Sequence, residues 1–236
     1  MQLFYHPTEP VTGATLSFSA EESKHIVRVL RKKVGDVLQA TDGQGHFFTI
    51  TLTHTEVRNC QGTIGDVNKV SKKPYQLHMA VAPTKMNERF EWFLEKATEL
   101  GVDEITPILC ERSERKVIKA ERLERVLVSA MKQSLRAYLP KLNPLTPYQD
   151  FLEKNPEAKK FIAHCAQGKR NLLTDFLPPQ EDVVFLVGPE GDFSENEIQS
   201  ALDLEYVPVT LGKNRLRTET AAVMTCASFA LFEETS

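Results

Sequence analysis

Two stretches of this 236-residue chain combine residue types and spacing suited to holding a small molecule. The first, Val183 to Phe193, is an apolar strand that ends abruptly in Gly188-Pro189-Glu190-Gly191. Directly after it, the Ser194 hydroxyl can cap a helix while Glu197 reaches back as the second half of a capping box. The second, Val209 to Ala222, runs a strand into Leu211-Gly212, then a polar loop, then an apolar helix through Phe232 with Thr218 as its candidate cap. In open α/β sheets ligands bind at the carboxyl ends of strands, where glycines admit a close backbone approach and free peptide groups can hydrogen-bond an adenine or ribose. Two such strand ends, if adjacent, make a pocket. Neither stretch follows the glycine spacings that cradle phosphates, so a nucleoside without phosphates is favoured over a dinucleotide or nucleoside triphosphate. Alone, the first stretch reads equally well as a plain strand-to-helix turn.

The elements that must carry these loops fall into two groups. Met1 to about Val70 has short alternating or apolar runs at Thr15 to Phe18, Val37 to Thr41, His46 to Thr53 and Gly62 to Val67, separated by turns such as Asp42-Gly43-Gln44-Gly45. One helix interrupts this β-rich domain, Ala20 to Arg31, with Ser19 as N-cap and Ile26, Val27 and Leu30 as its apolar stripe. Lys72, Lys73 and Pro74 read as a linker, which gives domains of 1–72 and 73–236. Beyond it, strands at Leu77 to Ala82, Glu104 to Leu109, Lys160 to His164, Val183 to Val187 and Val207 to Leu211 alternate with helices, the pattern of a parallel sheet. The clearest helix runs from Asn87 to Leu100, with Phe90, Phe93, Leu94, Ala97 and Leu100 on one face and Gly101 at the stop.

Composition narrows the class. A hydrophobic fraction of 41% and a charged fraction of 26% are those of an ordinary globular protein, and a net charge of -3 argues against a protein that coats nucleic acid without specificity. Contacts to nucleic acid must come from local patches. The opening residues lack the pattern of a signal peptide and no stretch approaches the roughly 20 apolar residues of a membrane span, so a cytosolic protein without a membrane partner is expected. Cys60, Cys110, Cys165 and Cys226 are scattered singly, with no paired spacing and no histidine at ligand distance in sequence, so neither a metal site nor a disulfide framework is expected.

Together the two glycine-bearing loops resemble those of the SPOUT superfamily of S-adenosylmethionine-dependent RNA methyltransferases, and within it the 16S rRNA (uracil-N3) methyltransferases. Three further stretches fit that family: His25-Ile26-Val27-Arg28-Val29-Leu30-Arg31 with Asp42-Gly43; Lys96-Ala97-Thr98-Glu99-Leu100-Gly101-Val102; and Glu111-Arg112-Ser113 with Gln133-Ser134. The resemblance spans nearly the whole chain. It implies an α/β protein with a C-terminal SPOUT-type domain, its parallel sheet threaded into a trefoil knot, and a small N-terminal PUA-like β-barrel that helps hold RNA. The chain departs from the family where a second glycine is replaced by Asp192 and where an arginine and an aliphatic residue are replaced by Asn214-Arg215.

The resemblance also implies a cofactor, S-adenosyl-L-methionine, held by His164, Leu186, Gly188, Pro189, Glu190, Gly191, Leu211, Gly212, Leu216, Thr218, Thr220 and Ala221. His164 reads alternatively as a satisfied buried histidine. Methylation at uracil N3 expels a proton and puts negative charge on the neighbouring carbonyl oxygens, which a fixed guanidinium stabilises; Arg217 is the first candidate. Glu219 or Glu190 accepts the proton or positions the ring, or instead holds an arginine or the cofactor ribose. On the N-terminal helix Lys24, Arg28, Arg31 and Lys32 fall broadly on one side, and with His25 and Arg112 form the expected RNA contacts, against the plainer reading of solvated surface charge. The expected partners are 16S rRNA or the small ribosomal subunit and a second copy of the chain, Trp92 reading as a packing residue or a dimer contact. The competing expectations are a SPOUT methyltransferase acting on another RNA nucleotide, a non-catalytic RNA-binding assembly factor and, more distantly, a Rossmann-type dehydrogenase.

Overall fold

A computed structural model of the chain describes residues 2–154, 157–166, 168, 170–177, 179 and 181–232. The chain divides into two units, Met1–Lys72 with Met131–Leu139, and Lys73–Ala130 with Pro140–Ser236. The first unit hands over to the second between Lys72 and Lys73, and the chain re-enters the first unit at residues 131–139.

The first unit is a five-stranded mixed sheet built from β1 (Leu3–Tyr5), β2 (Thr15–Ser17), β3 (Val37–Thr41), β4 (His46–Glu56) and β5 (Asn59–Lys69), in the order β1-β3-β4-β5-β2. Only the β1–β3 pairing is parallel. Alternation along the strands turns Leu38, Ala40, Phe48, Ile50, Leu52 and Ile64 into one core, joined by Phe4, Phe18 and Ile26. The Asp42 turn is held by its own carboxylate, which accepts from the Gln44 and His46 amides and meets His46 Nδ1 at 2.6 Å. Burial alone would raise this carboxyl, yet those bonds outweigh it and hold Asp42 below the ordinary carboxylate range. Residues 131–139 close over the same turn: the Thr41 hydroxyl and the Gly45 amide donate to Ala137 O, and Leu139 N donates to Gly43 O.

The expected helix Ala20 to Arg31 is corrected by the structure. Helix α1 (Ala20–Lys24) starts as read, with the Ser19 hydroxyl accepting from Glu22 N at 3.2 Å, but it widens into a π-type turn over His25–Val29 and ends at Leu30. Arg31 follows in a left-handed conformation, φ 54°. Ser23 lies fully buried at this junction, its hydroxyl donating to Phe18 O and accepting from Cys60 N, which ties the helix to the sheet.

In the second unit β6 (Leu77–Val81), β7 (Glu104–Leu109), β8 (Lys141–Leu142), β10 (Lys159–Ala163), β11 (Asn171–Leu172), β12 (Val183–Val187) and β13 (Val207–Thr210) form a parallel sheet in the order β11-β13-β10-β12-β6-β7-β8, with β9 (Thr146–Pro147) paired to the end of β7. Around it lie α2 (Asn87–Glu99), α3 (Ala120–Gln133), α4 (Tyr148–Glu153), α5 (Glu195–Asp203) and α6 (Thr218–Ala230). Val184, Leu186 and Ile162 share a buried cluster with Tyr148, Phe151 and Leu152 of α4 and Ile198 and Ala201 of α5. Helix α6 packs against α2 and against β6 and β12. At the end of α2 Gly101 takes φ +82°, a conformation glycine adopts without steric cost, and Lys73 bonds its carbonyl at 2.8 Å. The Lys96 to Val102 motif therefore ends a helix and aims β7; it carries no visible chemistry.

Helix α5 begins as the sequence predicts. The Ser194 hydroxyl accepts from Glu197 N, and Glu197 Oε2 accepts from Ser194 N at 2.8 Å. Helix α6 begins one residue earlier than read: Arg217 occupies the cap position without a side-chain bond, and Thr218, the expected cap, is the first helical residue. Its hydroxyl instead donates to Gly188 O at 3.0 Å.

Candidate active site

The strand ends at 187 and 210 are not adjacent; β10 runs between β12 and β13 and pairs with both. Three neighbouring carboxyl ends therefore converge, and they open a cavity of about 630 Å³. One wall is Ala163, which ends β10, with His164 and Cys165 after it and Arg170 beyond; another is Val187, which ends β12, with Gly188 to Glu190 and Asp192 after it. The third is the continuous run Val209 to Thr218, closed by Ala221 on the first turns of α6.

This arrangement gathers His164, Gly188, Pro189, Glu190, Leu211, Gly212, Leu216, Arg217, Thr218 and Ala221 and leaves out four expected residues. Leu186 is fully buried in the α4–α5 cluster because alternation along β12 turns it away from the cavity. Gly191 forms the back of its loop, where a Cβ would meet Arg112 Cβ at 3.3 Å. Helical rotation separates the start of α6: Thr218 and Ala221 face the cavity, Thr220 faces solvent, and Glu219 is buried beside Arg89, 3.8 Å from its Nε. Arg217 and Glu219, expected to work together, are thus on different sides of the helix start. Arg215 joins Arg217 on the cavity wall.

Several buried polar side-chain atoms in or near the site lack partners. Glu190 Oε1 accepts from Lys85 N at 2.9 Å, whereas Oε2 is buried without a hydrogen bond. His164 is buried with Nδ1 unpartnered. Burial lowers its pKa against the opposing pull of Asp192, with Arg170 lowering it further, so the ring is neutral at neutral pH. Glu219 Oε2 is similarly unpartnered, but outside the cavity. Unsatisfied buried acceptors cost free energy unless something donates to them.

Residues missed by the sequence reading are Ala163, Cys165, Arg170, Lys213 and the loop after β6 that carries Lys85. The position of Ala163 and Cys165 at a strand's carboxyl end was the available signal. Cys165 is exposed while Cys60, Cys110 and Cys226 are buried, and burial pushes the Cys226 thiol up to about 12. Asp192 takes φ 64°; its Oδ2 accepts from Cys165 N at 2.8 Å and its Oδ1 from Phe193 N at 2.9 Å.

The expected RNA residues divide. Lys24, Arg28 and Arg31 are exposed; His25 and Lys32 are half-buried, His25 lying edge-on to Phe4. The π-type turn and the left-handed Arg31 break the shared helical face on which these cations were grouped. Arg112 is exposed, but its Nη1 is engaged by the protein itself, donating to Gly191 O at 3.1 Å and Phe193 O at 3.3 Å. Among the described residues no three histidine, cysteine, aspartate or glutamate side chains gather as metal ligands would.

A family model for an RNA methyltransferase domain matches residues 71–230, and one for an RNA methyltransferase PUA domain matches residues 18–65. The chain is 30% identical over 234 residues to a ribosomal RNA small subunit methyltransferase E of Synechocystis sp., covering 95% of this chain and 76% of that one. Its fold matches a probable rRNA-methyltransferase from Porphyromonas gingivalis with TM-score 0.92 and 40% identity, over 100% of this chain and 99% of the other. It also matches a ribosomal RNA small subunit methyltransferase E from Neisseria gonorrhoeae bound to S-adenosyl methionine, with TM-score 0.88 and 30% identity over the whole of both chains. A mixed-sheet PUA domain joined to a parallel-sheet α/β domain of this kind defines an RNA methyltransferase. More narrowly, the chain belongs to the ribosomal RNA small subunit methyltransferase E family.

Proposed function

We propose that the protein transfers a methyl group from S-adenosylmethionine to uracil N3 in the 16S rRNA of the small ribosomal subunit. The observation that carries this reading is the cavity at the ends of β10, β12 and β13, lined by Glu190 and His164, whose side chains each keep one buried polar atom without a hydrogen bond and so have capacity left for the polar groups of a nucleoside. A relative with the same fold holds that cofactor. Residues Gly188 to Glu190 and Leu211 to Leu216 would hold the nucleoside, with the start of α6 supplying free amides. Gly212, at φ +138°, has open space where a side chain would project.

The cofactor, when bound, supplies a methyl group already activated on a sulfonium. What remains for the protein is alignment and charge. Arg217, exposed on the cavity wall, stabilises the negative charge that grows on the uracil carbonyl oxygens as N3 loses its proton. Support for Glu190 over Glu219 as the carboxylate that receives the proton or fixes the ring lies in position: Glu190 lines the cavity and Glu219 does not. RNA is held by the exposed Lys24, Arg28 and Arg31 on the PUA unit, with His25 and Lys32 beside them. The same reading includes the family's knotted chain path, a cytosolic site of action and a homodimer. Supporting the last two, no described helix is long and apolar enough to cross a membrane, and Trp92 and Met224 stand 42% exposed on the mutually packed α2 and α6.

The test is transfer of labelled methyl from S-adenosylmethionine to small subunits from cells lacking the enzyme, followed by mass spectrometry of the modified nucleoside. N3-methyluridine in 16S rRNA is expected. Methyl on another nucleotide would redirect the substrate assignment, and cofactor binding with no transfer to any RNA would point to a non-catalytic assembly factor.

A further inference from the structure

The loop from Gly188 to Phe193 is gripped by side chains and amides from four other segments. Lys85 N reaches Glu190 Oε1 from the end of β6, and the Thr218 hydroxyl reaches Gly188 O from α6. Between them lie two tethers on opposite flanks: Arg112, arriving after β7, donates to Gly191 O and Phe193 O, and Asp192 accepts from Cys165 N at the end of β10. We propose that Arg112 and Asp192 are positioning residues that hold this loop in its cofactor-binding shape, and that Arg112 acts on the cofactor side of the reaction rather than on RNA. The inference rests on the reading that this cavity takes S-adenosylmethionine.

The chemistry of each residue fits that role. One guanidinium nitrogen bridges the carbonyls on either side of Asp192, and the Arg112 stem lies against Gly191, which has no side chain to obstruct it. Asp192 occupies φ 64°, which a non-glycine residue adopts at some steric cost. Glycine would hold that conformation more easily but offers no acceptor to the Cys165 amide. The aspartate therefore exchanges backbone ease for a charge-assisted bond between two walls of the cavity.

The substitutions Arg112→Ala, Arg112→Lys, Asp192→Gly and Asp192→Asn separate this role from a merely structural one. Calorimetric titration with S-adenosylmethionine and steady-state transfer to small subunits are measured on each full-length variant. R112A and D192G are expected to bind the cofactor roughly tenfold more weakly, with its KM raised in step and the RNA KM within about twofold of wild type. D192N is expected to rescue in part, to an affinity between D192G and wild type, since asparagine tolerates positive φ and its one amide oxygen can accept from Cys165 N although its amide nitrogen cannot also accept from Phe193 N; R112K, with a point charge in place of the fork, is expected to be intermediate. Unchanged cofactor affinity in D192G, or in R112A a raised RNA KM with cofactor affinity intact, would overturn the proposal. The D192G and D192N pair keeps the test decisive should R112A fail to fold. Failure of the wild type to bind S-adenosylmethionine would instead overturn the reading of the cavity itself, and the positioning role with it.

Discussion

In the linear sequence Arg217 is the first candidate to stabilise charge and Glu190 and Glu219 are alternatives for receiving the proton; folded, the three differ sharply. Arg217 is exposed on the cavity wall, so Arg217→Ala is expected to lower single-turnover methyl transfer by about a hundredfold or more while cofactor affinity changes little. A comparable loss in cofactor affinity would show that the arginine binds instead of stabilising charge. The two glutamates make a paired prediction. Glu190→Gln removes the carboxylate whose unpartnered oxygen belongs to a cavity residue and is expected to slow transfer by about a hundredfold, whereas Glu219→Gln, lying outside the cavity beside Arg89, should leave the rate and its pH dependence unchanged. Equal effects from the two would undo this assignment.

Helix starts and strand ends carry the site, and their construction can be probed separately. Glu197 closes the α5 capping box and, through Oε1, accepts from Glu111 N at 2.8 Å, so one carboxylate fixes both the helix start and the turn after β7 that leads to Arg112. Glu197→Ala is expected to cost about 2 kcal/mol, measured by urea unfolding, against about 1 kcal/mol for Ser194→Ala. The N-terminal element tests the RNA reading. Arg28 and Arg31 are both exposed although the π-type turn takes them off a common helical face. The double reversal Arg28→Glu with Arg31→Glu should weaken rRNA binding at low salt by at least about tenfold and make its salt dependence shallower. Unaltered affinity at low salt would reduce these cations to solvated surface charge.

The molecule as a whole keeps two histidines neutral in its second unit. His78 is held below the ordinary histidine range by burial, more than Glu104 offsets, and its Nε2 meets the Thr106 hydroxyl at 2.7 Å; His164 is lowered in the same way. A base with a depressed folded-state pKa takes its proton more readily when unfolded, so the unfolded chain binds more protons and stability falls as pH drops. The histidine contribution is therefore present above about pH 6.5 and lost progressively below it, toward the lower folded values. Urea midpoints at pH 8, 6 and 5 should show this fall, and His78→Gln, which keeps a donor for Thr106, should show less of it. A wild type no more acid-sensitive than that variant would contradict the account.

How much of this was legible in one dimension follows from the range of the forces involved. Local rules are written in neighbouring residues: the Ser194–Glu197 capping box, the apolar face and glycine stop of α2, the fully apolar β12 and the glycine loops after β12 and β13 were all readable, because each depends on contacts within a few positions. The motifs, in order along the chain, were enough to reach the family and its cofactor. Strand order is different, since pairing joins residues far apart; only the folded sheet inserts β10 between the two glycine loops and so brings Cys165 and Arg170 into the cavity beside the expected His164. The same holds for the return of residues 131–139 to the first unit. Side-chain direction is also a tertiary decision. Whether Arg112 meets RNA or two backbone carbonyls, and whether Glu219 faces the cavity or Arg89, is set by which element packs beside it. Sequence thus determined the parts and the chemistry they can do, while packing between distant segments decided which groups share one cavity, because hydrogen bonding and burial act on neighbours in space.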